Sequence, residues 1–587
     1  MHTADPLKRV LRIDLTHQLF SIDDRGELFG EAIGGAGVAI RLLSEACPEG
    51  ADPLGPENPI VLAVGPLVGL YPLASKTIAM FKSPHTGDLG ESHAGGRSAV
   101  SIRMAGYGAI VIEGRSERPT YLVVEDGDVA FRDASALWGL RSSYTVGSVL
   151  RERERGPGQR SILRIGPAGE RQVTYACVIT ETYRHFGRLG LGAVFGSKNL
   201  KGIVIVGRRS IPVADAKRYR AHYDRLFEAI TKSTLMQKYH DLGTAMNVLP
   251  LNEMGALPTR NLQSSRFEQA EAISGERLAE RYLGRRLACA HCPVACIHIA
   301  ALRTPHPSER YFYKTSMLGY DYEPVFSLGS MLGIGDPEGM LRLADEVEIQ
   351  GLDAMSTGVV LAWLTEAYER GCLGLDELHG IALEWGSADT YIEAVRHLVR
   401  QPTKLFREAA RGVANASSIY GGSEFALSFA GNEMPGYHTG PACHLGVLFG
   451  ARHSHLDSAG YSIDQKSAAA GTLLDADAIV TGILAEEAWR QVLASLSVCF
   501  FARGLYTPEE ASEALGVLGS SLGADALGHM GQQVLREKHA FKLREGFDPE
   551  SLEVPGRVFD TETPLGDIDP AILKECSGRL ADRIRGK

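Results

Sequence analysis

The sequence predicts an α+β protein, with an N-terminal β-sheet base domain (residues 1–210) followed by two mainly helical domains (211–425 and 426–587). Three observations carry this. The 587 residues exceed one hydrophobic core, and about 150 residues per domain allows two to four. The first 210 or so residues set short β-branched runs between glycines and prolines. Beyond Pro212 the apolar spacing turns helical.

In the first part the expected strands are Val10–Thr16, Pro59–Val64, Thr77–Lys82, Ala109–Glu113, Tyr121–Glu125, Ser161–Ile165, Val173–Ile179 and Gly202–Val206. Helices there are few: Gly37–Glu45 and Ser143–Arg155. Past Pro212, helical periodicity runs through Ala214–Thr231, Pro337–Gln350, Met355–Arg370, Ala388–Val399, Thr403–Val413, Ala485–Ala502, Pro508–Leu518 and Ala524–Lys538. Their connections carry Gly, Pro and Asp, which stop helices. A loop-like stretch from Gly431 to Gly471 marks the border of the third domain.

Composition is that of a soluble globular chain: 44% hydrophobic, 22% charged, net charge −10. No basic block stands out to track a phosphate backbone, which argues against nucleic acid. No stretch reaches the roughly 18 apolar residues of a membrane span. Met1 to Leu11 lacks an apolar signal core, so a cytoplasmic protein is expected.

Nine cysteines are present, and three crowd into Cys289-Ala290-His291-Cys292-Pro293-Val294-Ala295-Cys296. Such clustering in a large chain points to metal rather than to a disulfide framework. A C-x2-C-x3-C loop can wrap three corners of an iron–sulfur cubane, the fourth thiolate being remote. Spacing alone does not choose that fourth cysteine. Zinc is the alternative, although no second paired elbow follows. The reverse order, C-x3-C-x2-C, marks radical enzymes that cleave S-adenosylmethionine. In Arg452-His453-Ser454-His455-Leu456-Asp457, two histidines at i, i+2 on an extended strand would share a side and offer a mononuclear metal site; beside the rest of the chain the segment is expected instead to line a substrate pocket. Gly34-Gly35-Ala36-Gly37 opens a helix without a clean dinucleotide fingerprint.

Several segments together resemble the aldehyde:ferredoxin oxidoreductase family. They are Phe81-Lys82-Ser83-Pro84, Ala94-Gly95-Gly96, Ala105 to Gly114, Arg132 to Ser135, Ile165 to Glu170 and, most specifically, Gly187-Arg188-Leu189-Gly190-Leu191-Gly192 running on to Lys201. Tyr322-Glu323-Pro324 lies about 30 residues before Gly351-Leu352-Asp353, as in the family. The likeness spans residues 8 to about 500.

The resemblance implies a β base domain with two helical domains closing over a tungsten- or molybdenum-bis-pterin cofactor, beside a [4Fe–4S] cluster held by Cys289, Cys292, Cys296 and Cys499. It places Lys76, Gly95, Gly96, Arg184, Gly187, Arg188, Gly190 and Gly192 at the pterin phosphates and cluster. Glu348, Gly351, Leu352 and Asp353 follow one pterin motif, with Glu for its first Asp. Val498 and Cys499 stand in the second, which here lacks its carboxylate and glycine. His93 replaces an Asn that helps hold a phosphate-bridging Mg²⁺, an ion imidazole suits poorly. Glu323 and His455 fall beside the metal, Glu323 as a base raised by desolvation and His455 activating the carbonyl or moving protons. Cys443 is the nearby thiol that could ligate the metal, against a buried-hydrophobe reading.

The implied reaction oxidises a small aldehyde to a carboxylic acid, with ferredoxin or an iron–sulfur subunit as acceptor. Low-potential reduction of an activated acid or aromatic ring, or a zinc-binding scaffold without catalysis, are the alternatives. The Glu-x-x-His pattern of the family's dimer-bridging iron is absent where Arg342 stands, so a homodimer would form without that metal.

Overall fold

A computed structural model describes residues 5–181, 183–306 and 308–586. The first four residues of the segment read for a leader lie outside the described residues. Two six-stranded sheets build the N-terminal part. The first has strand order β2-β1-β6-β3-β4-β5, from β1 (Arg9–Asp14), β2 (Leu19–Asp24), β3 (Ile60–Ala63), β4 (Thr77–Lys82), β5 (Leu89–Ala94) and β6 (Ala109–Glu113). The second has order β11-β10-β9-β12-β7-β8, from β7 (Thr120–Glu125), β8 (Asp128–Asp133), β9 (Gln159–Arg164), β10 (Val178–Thr180), β11 (His185–Phe186) and β12 (Leu200–Gly207). β1 pairs with β6, and β7 with β12, in parallel.

Two expected strands match their observed bounds, and five others lie within two residues. Val173–Ile179 is corrected: only its last two residues enter β10. Before them the chain turns, Ala176 N–H donating to Val173 O, and Thr174 N–H donates to Ala410 O and Cys177 N–H to Gly351 O, so this segment bonds to the helical part instead of a ladder.

The helical part departs from expectation at several places. It contains a three-stranded antiparallel sheet, β13 (Leu283–Leu287), β14 (Ile297–Pro305) and β15 (Tyr313–Tyr320). Thr403–Val413 is two helices, Lys404–Ala409 and Val413–Tyr420, broken at Gly412 with φ +103°. The expected loop Gly431–Gly471 holds helices Pro441–Leu448 and Gly460–Ala470. Its glycines serve close packing: a Cβ at Gly460 would lie 2.0 Å from Ala442 O.

The long helix Ala476–Ser495 packs on Gly35–Ala46. The glycines that open the latter are contact points, since a Cβ at Gly35 would sit 2.1 Å from Ala494 O. The expected helix Ala485–Ala502 stops at Ser495 because Ser497 turns left-handed, φ +63°. That turn delivers Cys499 to Leu73, in the loop between β3 and β4. Among the described residues, no helix is long and apolar enough to cross a membrane.

Candidate active site

The cysteine run forms the loop between β13 and β14. His291 and Ala295 adopt left-handed backbone, φ +57° and +53°, so the chain reverses twice within eight residues. Leu73 ties this loop to the remote cysteine: its N–H donates to His291 O at 3.1 Å, and its carbonyl accepts from Cys499 N–H at 2.9 Å. Lys76 N–H donates to Ser497 O, and Ala290 N–H to Gly96 O. A Cβ at Gly95 would fall 2.7 Å from Cys289 Sγ and 3.6 Å from Lys76 Nζ; only glycine admits the thiol there.

All four cysteines are half-buried and line one cavity of about 310 Å³. Burial pushes the Cys292 thiol up to about 12, and its neighbours Cys289 and Cys499 add to the shift; Cys296 rises likewise. Thiols that destabilise one another's charge this way are close together, and a cation or metal cluster would reverse the effect. Burial works against the Arg184 charge, yet Asp321 and three of the thiols hold its pKa above the ordinary value. Its guanidinium lies 3.4 Å from Asp321.

The opposite wall combines both halves of the chain. Arg188 Nε donates to Asp353 at 3.2 Å and Nη2 to Glu433 O at 2.7 Å, while its buried Nη1 lacks a partner. Asp353 caps helix Ala354–Glu369. Glu348, on the last turn of helix Pro337–Gln350, accepts from His185 at 2.7 Å and keeps Oε1 buried and unpartnered. Leu352 and Val498 face the cavity; Leu352 bridges to Ala176 and Val498 to Ala74.

The glycine run divides. Gly187 lines the cavity with nothing within 4 Å of its would-be Cβ. Gly190, at φ +87°, and Gly192 would instead drive a Cβ to 2.1 Å from Thr174 O and 2.5 Å from Cys177 O. Those two let helix Leu191–Ser197 pack against the chain at 174–177 and do not line the cavity. Gly351, at φ +78°, ends Pro337–Gln350 and approaches Gly166.

Glu323 sits in the first turn of Tyr322–Leu328. His455 opens the short helix His455–Ser458, held by a capping box between Ser454 and Asp457. The two meet across the cavity, His455 Nε2 to Glu323 Oε1 at 3.2 Å, with His455 Nδ1 buried and unpartnered. The expectation of a raised Glu323 is corrected. Burial pushes its pKa up, but His455 outweighs that and leaves it below the ordinary value. The raised carboxyl is Asp321, through burial and the Glu323 charge.

One further reading changes, and two more residues are placed. His453 and His455 do not share a face, because His453 is left-handed (φ +51°) and turns to Leu448 O and Lys542. His93 is neutral near pH 7, its pKa lowered to about 4 chiefly by burial, and it bonds Glu91 at 2.6 Å. Cys443 lies outside the cavity lining with its Sγ on Tyr437 O, as the buried-hydrophobe reading has it; besides the four cysteines of the cluster set, the thiol that lines the cavity is Cys177. Arg452 joins the lining, as expected of its segment, and pairs with Asp457; Glu91 also lines it without a sequence signal, because its partner Lys538 is recognised only after folding.

The arrangement could hold a large anionic, metal-bearing ligand: four thiols on one side, a carboxylate–imidazole pair on another, and buried polar atoms without partners, Arg188 Nη1, Glu348 Oε1 and His455 Nδ1 among them. Comparison with known proteins agrees. The family described as aldehyde ferredoxin oxidoreductase, N-terminal domain, matches residues 10–207, and its domains 2 and 3 match 222–580. A tungsten-containing aldehyde ferredoxin oxidoreductase of Thermococcus kodakarensis is 32% identical, over 95% of this chain and 92% of its own. One from Pyrococcus furiosus is 30% identical over the same shares. An aliphatic sulfonate oxidoreductase, WOR-like subunit, from Pyrococcus furiosus is 29% identical over 70% of this chain and 66% of its own. The active site complex of benzoyl coenzyme A reductase shares the fold, with a TM-score of 0.83 at 19% identity over 99% of this chain and 94% of that one. The protein is thus an enzyme and belongs to the aldehyde ferredoxin oxidoreductase family.

Proposed function

We propose that the chain oxidises small aldehydes to carboxylic acids, RCHO + H₂O → RCOO⁻ + 3 H⁺ + 2 e⁻, at a tungsten- or molybdenum-bis-pterin centre. Cys289, Cys292, Cys296 and Cys499 would hold a [4Fe–4S] cluster as the electron outlet. Arg188, Gly187, Lys76 and Arg184 would meet the anionic parts of the pterins, and Glu348 and Asp353 their ring N–H groups. The bound metal supplies the two-electron acceptor.

The chain's own residues handle water and protons. Ionised Glu323 accepts a proton from water. His455 in its protonated form donates Nε2–H to Glu323 and offers Nδ1–H to a carbonyl oxygen; its neutral form takes up a proton. No role for Mg²⁺ is proposed, since His93 is engaged by Glu91. The observation that carries the reading is the His455–Glu323 pair, with a free imidazole nitrogen, in the cavity that the four cysteines line. Anaerobic purification followed by W, Mo, Fe and Zn analysis tests it. About one W or Mo and four Fe per chain, with turnover of an aldehyde panel, is the expected result; zinc alone would overturn it.

A further inference from the structure

The sheet that grows out of the cysteine loop is charged and bare along β13 and at the far ends of β14 and β15, while residues 297–300 are buried. Residues 281–315 carry six basic side chains against one carboxylate, Glu309, in a chain whose net charge is −10. The fold turns this run into a face. β13 leads into the cysteine loop, and β14 leaves it directly after Cys296 and runs out to a hairpin tip. Arg285, Arg303 and Arg310 are exposed, and among the described residues none forms an ion pair: Arg303 lies over the Tyr313 ring and Arg310 over that of Tyr311. Two other charges are occupied, Arg286 by the His240 and Asp241 carbonyls and Lys314 by the nearby Asp345.

The tip presents Tyr311, Phe312 and Tyr313 at 83%, 66% and 53% exposure. Adjacent aromatics bare to this degree on a soluble protein, ringed by arginines, have the composition of an interface centre. At about 3.3 Å per residue the nine residues of β14 carry the tip about 30 Å from Cys296, with residues 297–300 and Leu302 buried along the way. At the base of this patch His291 is exposed and Cys292 half-buried.

We infer that the β13–β15 sheet, with its basic strands and aromatic tip, docks a separate acidic iron–sulfur electron carrier against the cysteine loop. This rests on the cluster reading above and deepens it by assigning the partner's surface and charge. Each aldehyde converted releases two electrons, and each electron reduces one [4Fe–4S] centre of the carrier. Charge complementarity selects the carrier: a face short of carboxylates attracts an acidic surface and accelerates encounter, most strongly at low salt.

The test uses the holoenzyme and a bacterial two-[4Fe–4S] ferredoxin as probe. Binding is measured at 50 and 200 mM NaCl, and aldehyde-dependent reduction of benzyl viologen in parallel. Arg285→Glu/Arg303→Glu/Arg310→Glu should weaken ferredoxin binding at least tenfold and flatten its salt dependence. Tyr311→Ser/Phe312→Ser should weaken binding with the salt dependence kept. Both should leave viologen reduction as in the wild type. Unchanged ferredoxin affinity, or a wild type that does not bind it, overturns the inference. So does tighter binding of a 20-base-pair DNA duplex than of ferredoxin, or a charge-reversal variant that alters only the oligomeric state. Loss of viologen activity in the wild type would sink the oxidoreductase reading alone, since the binding result stands by itself.

Discussion

His455 Nε2 lies 3.2 Å from Glu323 Oε1, while the other ring nitrogen is buried and unpartnered. One contact therefore orients the imidazole and keeps the carboxylate ionised, and the second nitrogen is left for chemistry. Tyr437 O–H points at the same carboxylate from 3.5 Å, and its ring lies 5.0 Å from that of His455, so the pair has little room to swing. His455→Ala should lower kcat by roughly 10²–10⁴-fold with W or Mo and Fe content unchanged. Activity within twofold of wild type would make His455 a packing residue.

Leu73 joins the two cysteine segments through its own peptide groups. Cys289→Ser and Cys499→Ser should each remove the broad visible absorption and lower iron below four per chain. Full iron occupancy in either variant would show that its thiol is not a ligand.

Gly187 and Gly190 should respond oppositely to one methyl group. Gly190→Ala places a Cβ 2.1 Å from Thr174 O at φ +87°, strain of at least about 1–3 kcal/mol. Its thermal midpoint should fall by about 1–3 °C. Gly187→Ala has open space and should melt like wild type while retaining less W or Mo. Equal melting of the two variants would refute the division.

The buried pair of His85 and Glu433, 2.8 Å apart, gives an acid-stability prediction. Burial opposes the Glu433 charge, but His85, Ser356 and the Val413 N–H outweigh it and lower the pKa to about 2. A depressed carboxylate stabilises the fold fully above its unfolded value near 4.5 and loses that contribution as pH falls through about 2. Glu433→Gln should therefore be less stable at pH 7 and lose less stability than wild type between pH 4.5 and 2. Parallel acid-unfolding curves would contradict this.

Much of this molecule is legible before folding. Thr77–Lys82 and Ala109–Glu113 read as strands because both are unbroken apolar runs that end up buried on both faces, and Pro337–Gln350 reads as a helix because Asp336, Pro337 and Gly351 mark its ends. The cysteine run advertises a metal site through local spacing alone. The sheet β13–β15, exposed mainly along β13 and at its far end, escaped notice because half-polar strands carry little alternation, and the helices within Gly431–Gly471 were hidden by glycines that serve tight packing.

The sequence by itself determined which side chains carry chemistry and the order in which they arrive: three thiols on one loop, a lone Cys499, Glu323 and His455. Tertiary structure decided which of them meet. Spacing cannot show that a left-handed Ser497 brings Cys499 to Leu73, or that a left-handed His453 sends two neighbouring histidines apart. Nor can it show that Glu323 is held ionised by an imidazole 132 positions away. These outcomes depend on single backbone conformations and on long-range charge pairing in a low-dielectric interior, and neither is a property of local sequence.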